Sequence, residues 1–200
     1  VSINKVQDAS LGYFLTPMIS ISLGYFILNE NLNIRKVISV LLMLFACIIL
    51  FTGLDSFPYL ALLIGTTWGI YGLLRKQIQV SPAVGLLYES GLITLFALPY
   101  LIYLNQIDIG YFGFNFSYIS IMLFLTGIVT IIPLFFFNLG LRYTTLSLAG
   151  VLFYIAPSFH FITSVYILGE NLEFQKLIAF VIIWLGVAIF IFDVVRNSRL

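Results

Sequence analysis

Glu89 is the residue whose position most strongly suggests chemistry, because it interrupts an apolar stretch that begins at Val84. A carboxyl group inside such a stretch is costly to insert into lipid, and it usually faces a cavity or a partner. That setting suits a site for a proton or for a substrate amine. The alternative is a structural glutamate near a membrane surface, which snorkels outward or pairs with Arg75 or Lys76.

His160 is the second candidate, because it is the single histidine of the chain and lies in the middle of another apolar stretch. An imidazole changes charge near physiological pH and can relay protons. The alternative is a polar residue that hydrogen-bonds a neighbouring helix. Tyr154 lies nearby at helical spacing and is a further candidate, with ordinary helix packing as its alternative.

Two prolines are candidates for helix kinks. Pro157 and Pro17 each remove one backbone hydrogen bond from an apolar helix. Kinks at corresponding positions of two repeats often mark a central binding site. Trp68, Tyr71 and Asn138 complete the set of residues that we expect to line a cavity.

No enzyme signature accompanies these residues. One histidine and one cysteine leave too few ligands for a cysteine-based zinc site, and Ser158 and His160 are two positions apart, on different faces of a helix. We therefore expect no catalytic residues, no metal and no cofactor. The net charge of +1 argues against a nucleic-acid partner, which would need a clustered basic face.

Composition defines the elements that must position the candidates. Hydrophobic residues make up 62% of the chain and charged residues 8%, against about 25% charged residues in soluble domains. Seven apolar stretches are each close to the ~20 residues that cross a bilayer as a helix, and lipid permits only helices or closed barrels. They span 9–28, 37–53, 58–74, 84–104, 118–140, 146–168 and 177–192. The sequence therefore predicts an all-α integral membrane protein.

Basic residues are distributed unevenly between the two membrane sides. Seven lie on the side of the C-terminus and two on the other, which predicts a cytoplasmic C-terminus. The seven are Arg35, Lys36, Arg75, Lys76, Arg142, Arg196 and Arg199, and the two are Lys5 and Lys176.

An internal repeat relates segments 17–38 and 157–178 at an offset of 140 residues. Both copies carry a proline, an Ile-Leu pair, the triplet Glu-Asn-Leu and a lysine at matching places. An odd number of helices separates the copies, so they enter the membrane in opposite directions, as in transporters with inverted repeats. We expect residues 1–53 to be the last two helices of a first repeat and residues 54–200 to be a complete second repeat of five. A start at valine rather than methionine agrees with missing upstream helices.

Four segments carry a resemblance to a known family. They are SLGYFLTPMISISLGYFILNE, WGIYGLLRK, GLLYES and YIAPSFHFITSVYILGENL. Together they resemble the EamA-type permeases of the drug/metabolite transporter superfamily, and in particular the RarD branch, whose label refers to chloramphenicol sensitivity. The resemblance implies a ten-helix permease of two inverted five-helix repeats, seven helices of which lie in this chain. His160 stands where RarD-like sequences usually carry another polar residue.

These observations lead to one functional expectation and one alternative. We expect a multi-pass transporter of the bacterial inner membrane that moves a small organic metabolite or drug by alternating access, coupled to protons or ions. Its partners would be the solute and the bilayer, with a homo-oligomer left open. The alternative is a membrane scaffold or sensor that uses the same fold without transporting anything.

Overall fold

The computed structural model describes residues 6–52, 58–107, 109–110, 117–167 and 174–197, with side chains from residue 13 onward except that of residue 164. Within these residues the chain is helical and contains no strand. The helices are α1 (Val6–Phe26), α2 (Ile34–Phe51), α3 (Tyr59–Gln77), α4 (Pro82–Gln106), α5 (Tyr118–Tyr143), α6 (Leu146–Leu152), α7 (Ile155–Tyr166) and α8 (Phe174–Asn197). The prediction of an all-α membrane protein is confirmed.

Five helical stretches of the described chain are long and apolar enough to cross a membrane. They are Ile34–Phe51, Pro82–Gln106, Tyr118–Tyr143, Leu146–Thr163 and Phe174–Asn197. The other two predicted spans correspond to α1 and α3. The apolar part of α1 within the described side chains is Tyr13–Phe26, and α3 is not among the five. Helix α3 contains several glycines and threonines, and its glycine face packs on α1 instead of facing lipid: a Cβ atom at Gly69 would lie 2.6 Å from a methyl group of Ile19.

Side-chain caps fix where three of the helices begin. Asn33 accepts a hydrogen bond from the Lys36 amide at 3.0 Å and starts α2. Ser81 and Thr145 do the same for α4 and α6, and Pro82 occupies the first turn of α4, where its missing amide hydrogen is not needed. Each cap is a short polar residue at the position immediately before its helix, the place where such residues commonly signal a helix start.

The chain forms two compact units. The first contains α1, α2, α3 and α6–α8, and the second, residues 78–143, contains α4 and α5. In the first unit α1 packs on α3 and α6, while α2 packs along α8. Its core joins α1, α2, α6 and α8 around side chains such as Phe14, Met43, Val151 and Phe190, together with Tyr154, which lies between α6 and α7. In the second unit α4 and α5 pack on each other and expose large apolar side chains along most of their length.

Candidate functional site

The predicted sixth span is broken in its middle. Helix α6 ends at Leu152 and α7 begins at Ile155, two residues before Pro157. Pro157 cannot donate to the carbonyl of Phe153, and that carbonyl accepts instead from the Ala156 amide at 3.2 Å. The chain therefore crosses the break through short i to i+3 hydrogen bonds. Helix α1 continues without interruption past the matching Pro17, which is fully buried.

Helix α6 is fixed to the end of α1 by one carboxylate. Glu30 lies in the loop after α1, and its two oxygens accept from the amides of Leu146 at 2.5 Å and Ser147 at 2.9 Å. The loop brings Glu30 to this position through Asn29, whose φ of 53° is one that asparagine tolerates better than most residues. The Glu30 amide donates back to the Gly24 carbonyl at 3.0 Å, which folds the loop against α1.

Close packing accompanies this cap. A Cβ atom at Gly24 would lie 2.6 Å from a Glu30 carboxylate oxygen and 2.9 Å from the Ser147 hydroxyl, so only glycine leaves room for them. One turn further, a Cβ atom at Gly150 would lie 2.8 Å from that of Ser20 and 3.2 Å from the Pro17 carbonyl oxygen. The small residues of α1 and α6 therefore form a close helix–helix contact.

Three aromatic rings meet beside the break. Trp68 and Tyr71 stack with ring centroids 5.2 Å apart and planes 8° from parallel. Phe153 presents its edge to Trp68 at 5.9 Å. Two predicted cavity residues are thus brought together on α3, next to the discontinuity between α6 and α7. All three rings are half-buried, so the group borders open space on one side.

Tyr154 points away from these rings and into the core. It is 1% exposed, and its hydroxyl donates to the Phe14 carbonyl at 3.3 Å and lies 3.9 Å from the Cys47 sulfur. Pro157 is buried too, and Phe161 stacks on Phe180 at 4.2 Å. This geometry favours the packing alternative for Tyr154, whose role at a site stays a prediction.

His160 lies on the exposed side of α7. Its neighbour Ser158 is engaged elsewhere, because it donates to the Tyr154 carbonyl at 2.7 Å and accepts from the Trp184 indole at 2.8 Å. These contacts do not include His160, so Ser158 and His160 do not pair. The role of His160 at a solute site stays a prediction.

The two remaining candidates belong to the second unit. Glu89 is half-buried in the second turn of α4, and Asn138 is 3% exposed on α5. An apolar groove runs between these helices, with Leu86 and Ser90 on one wall and Ile132 and Phe135 on the other. Glu89 therefore lies on a helix pair whose groove is lined mainly by apolar side chains, a setting in which a carboxyl group is unusual.

A buried polar cluster that the sequence reading missed joins α2 to α8. Asp193 is fully buried, and its carboxylate accepts from the side-chain amide nitrogens of Asn33 at 2.6 Å and Asn197 at 3.1 Å. The Arg35 guanidinium, itself partly exposed, lies 3.6 Å from the other carboxylate oxygen. An acidic residue within the apolar stretch of α8 was the available signal, since such residues rarely lie in a membrane helix without a partner.

The opposite end of the same helix pair is also tied. The Gln175 side chain donates to the Ile49 carbonyl at 2.7 Å and to the Thr52 hydroxyl at 3.1 Å. Midway along, the Ser39 hydroxyl donates to the Gly186 carbonyl. Positions 35 and 175 are related by the repeat offset of 140, so the equivalent residue of each copy binds the end of the other copy's helix. The contacts also show that α2 and α8 run antiparallel.

The described residues contain no group of three or more histidine, cysteine or acidic side chains placed to hold an ion. The features that the structure does show are polar caps, aromatic rings and a broken helix inside an apolar bundle. Broken helices, buried acids and closely packed glycines are features of polytopic membrane transporters.

Comparison with known proteins agrees with that class. Residues 57–192 match the EamA-like transporter family, and the chain belongs to this family. It is 32% identical to an uncharacterized transporter of Pseudomonas aeruginosa and 31% identical to protein RarD of Escherichia coli, each over 199 residues. In both comparisons the match covers 100% of this chain and 67% of the relative.

A third relative is the uncharacterized transporter YojE of Bacillus subtilis, 32% identical over 192 residues, with 96% of this chain and 64% of that protein covered. The chain thus spans about two thirds of the length of these relatives. The resemblance to RarD-like EamA permeases is confirmed, and the protein is a multi-pass membrane protein of the transporter type.

Proposed function

We propose that this protein is a secondary transporter that moves a small organic metabolite or drug across the bacterial inner membrane by alternating access between two inverted repeats. The observation that carries the proposal is the pairing of equivalent helices. Helix α1 packs on α6, and α2 packs on α8, and each pair is related by the offset of 140 residues. Two inverted copies that meet along a shared interface are the architecture in which solute binds near the midplane of the membrane.

One pair of equivalent residues illustrates this interface. The Tyr154 hydroxyl donates to the carbonyl of Phe14, its own counterpart in the first copy, and the two rings lie 6.5 Å apart. Contact between equivalent positions is what a pseudo-two-fold axis through the interface produces. The proposal therefore includes residues 1–53 as the end of one repeat and residues 54–200 as the other, within a bundle of ten helices, with the C-terminus on the cytoplasmic side.

The residues that we propose for solute contact are given for each unit by itself. In the first unit, Trp68 and Tyr71 offer aromatic surface beside the broken helix, and His160 would supply a hydrogen bond. In the second unit, Glu89 offers a carboxyl group for a proton or a substrate amine, and Asn138 would supply a further hydrogen bond. The chain carries out no chemical conversion in this proposal, which agrees with relatives that are named as transporters.

The test is solute flux in proteoliposomes that contain the protein expressed from its complete reading frame. Pooled metabolites and amphenicol drugs would be screened while the internal pH is recorded. Glu89→Gln removes the titrating group with little change in shape. Ser90→Ala is the matched control, because the Ser90 hydroxyl is bonded to the carbonyl of Leu86 in its own helix at 2.7 Å.

Solute flux with proton movement that Glu89→Gln abolishes and Ser90→Ala preserves would support a proton-coupled permease. Flux that both variants preserve would contradict the role of Glu89 and leave transport standing. A folded protein that moves no solute would contradict transport itself and favour a scaffold or sensor.

A further inference from the structure

The interface of α2 with α8 and the interface of α1 with α6 and α7 are held by different sets of polar contacts. The α2–α8 pair is tied at both ends and in the middle, by Asp193 with Asn33, by Ser39 with Gly186 and by Gln175 with Ile49. In the pair of α1 with α6 and α7, the described polar contacts include Glu30, which accepts from the amides of α6 at one end, and Tyr154, whose hydroxyl donates to the Phe14 carbonyl. Beyond that end the partner of α1 is interrupted between Leu152 and Ile155.

Burial also differs between α6 and α7, the two helices that follow each other along α1. Five of the seven residues of α6 are buried, namely Leu146, Ser147, Ala149, Gly150 and Val151. Helix α7 exposes Ile155, Phe159 and His160, and α1 touches it much less than it touches α6. The α6 half is therefore clamped to α1, and the α7 half is held more loosely.

We infer that Glu30 is the latch that keeps the α1–α6 interface closed, and that this interface opens during transport while α2–α8 stays fixed. This inference rests on the proposed function, because it assigns one of the moving contacts of the alternating-access cycle. The carboxylate replaces water as the acceptor for two amides at the start of α6, groups that have no partner within their own helix. Opening the interface exchanges those two bonds for bonds to water, so the latch can be released without breaking the helix.

Packing around Glu30 explains why the latch is specific. The carboxylate fits over Gly24 and beside the Ser147 hydroxyl, so the closed contact depends on the exact shape of both helices. Aspartate would be shorter by one methylene group and could not reach the same two amides from the same loop. Glutamine keeps one carbonyl oxygen but replaces the other acceptor with a donor, which faces an amide that also donates.

Thiol labelling tests the latch directly. Two buried serines report on the two interfaces: Ser147, 2% exposed, on α1–α6, and Ser39, 0% exposed, on α2–α8. In a Cys47→Ala background, Ser147→Cys and Ser39→Cys would each be labelled with a small maleimide, with and without Glu30→Ala and Glu30→Gln. The same variants would be assayed for flux in proteoliposomes.

We expect loss of the two charge-assisted bonds to raise the labelling rate at position 147 by about tenfold or more, with a smaller rise for Glu30→Gln. The labelling rate at position 39 should stay unchanged, and flux should fall. Unchanged protection of position 147 would overturn the inference. Equal reactivity of both positions would also overturn it, because Glu30 would then support the whole fold rather than one interface.

The labelling result separates this inference from the proposed function. Protein that never transports solute but shows selective release at position 147 would retain the latch and refute transport. Protein that transports solute normally with Glu30→Ala, and keeps position 147 protected, would refute the latch alone.

Discussion

Asn33 performs two tasks at once, and separating them gives a quantitative prediction. Its side-chain oxygen accepts from the Lys36 amide and caps α2, while its side-chain nitrogen donates to Asp193 at 2.6 Å. Serine is a good helix cap but is too short to reach Asp193, so Asn33→Ser removes the second task and keeps the first.

The magnitude follows from the kind of bond that is lost. A hydrogen bond to a charged group contributes about 1.5–3 kcal/mol, so Asn33→Ser should lower the free energy of unfolding by about 2 kcal/mol. Asn33→Ala should cost about 1 kcal/mol more, because it also removes the cap. Arg35→Ala should cost less than about 1 kcal/mol, since its side chain is 42% exposed and the 3.6 Å pair is screened by water.

The assay is denaturant titration in mixed micelles, followed by tryptophan fluorescence, in the wild type and in an Asp193→Ala background. With Asp193 absent, Asn33→Ser should cost about 0.5 kcal/mol or less, because the bond it removes no longer exists. If Asn33→Ser lowered the free energy of unfolding equally in the two backgrounds, the contribution of the Asn33–Asp193 hydrogen bond would be refuted. A larger cost for Arg35→Ala than for Asn33→Ser would show that the ion pair, and not the amide bond, holds the helix ends together.

Two further predictions concern packing in the first unit. Gly150→Ala should lower stability by about 1–3 kcal/mol through overpacking, because the new Cβ meets the Pro17 backbone, whereas Gly127→Ala, with no neighbour within 4 Å, should be neutral or slightly stabilising in the same titration. Equal effects of the two changes would contradict the close α1–α6 contact. The thiol of Cys47, 2% exposed and in contact with the Phe14 carbonyl, should resist maleimide in the folded protein and react on denaturation. Rapid labelling of folded protein would mean that this core opens readily.

Local signals predicted most of the helices. Apolar length marked the spans, and Asn33, Ser81 and Thr145 stand directly before the helices α2, α4 and α6. Pro157 lies three positions after Tyr154, at the break in the sixth span. These features depend on neighbours within one or two turns, so a single sequence contains them. The glycines of α3 stand three or four positions apart, a spacing that is also a local signal of close helix packing.

Long-range partners were beyond the sequence reading. Glu30 bonds residues 116 and 117 positions away, and Asn33 bonds Asp193 across 160 positions. The repeat identified Glu30 as notable without showing which amides it binds. Tyr154 shared a helical stripe with Pro157, but only the packing of α1 and α2 determines that its ring is buried. Trp68 and Tyr71 are three positions apart on α3, a spacing at which side chains meet, so their contact could be predicted from the sequence.

The chemistry at the two ends of the α2–α8 pair shows how two copies of one repeat can diverge. Position 35 is arginine and meets an aspartate, while the equivalent position 175 is glutamine and meets a carbonyl and a hydroxyl. An ion pair weakens as salt is added, whereas hydrogen bonds between neutral groups depend on ionic strength much less. The two ends of this interface should therefore respond differently to salt, and added salt should weaken mainly the contact at Arg35.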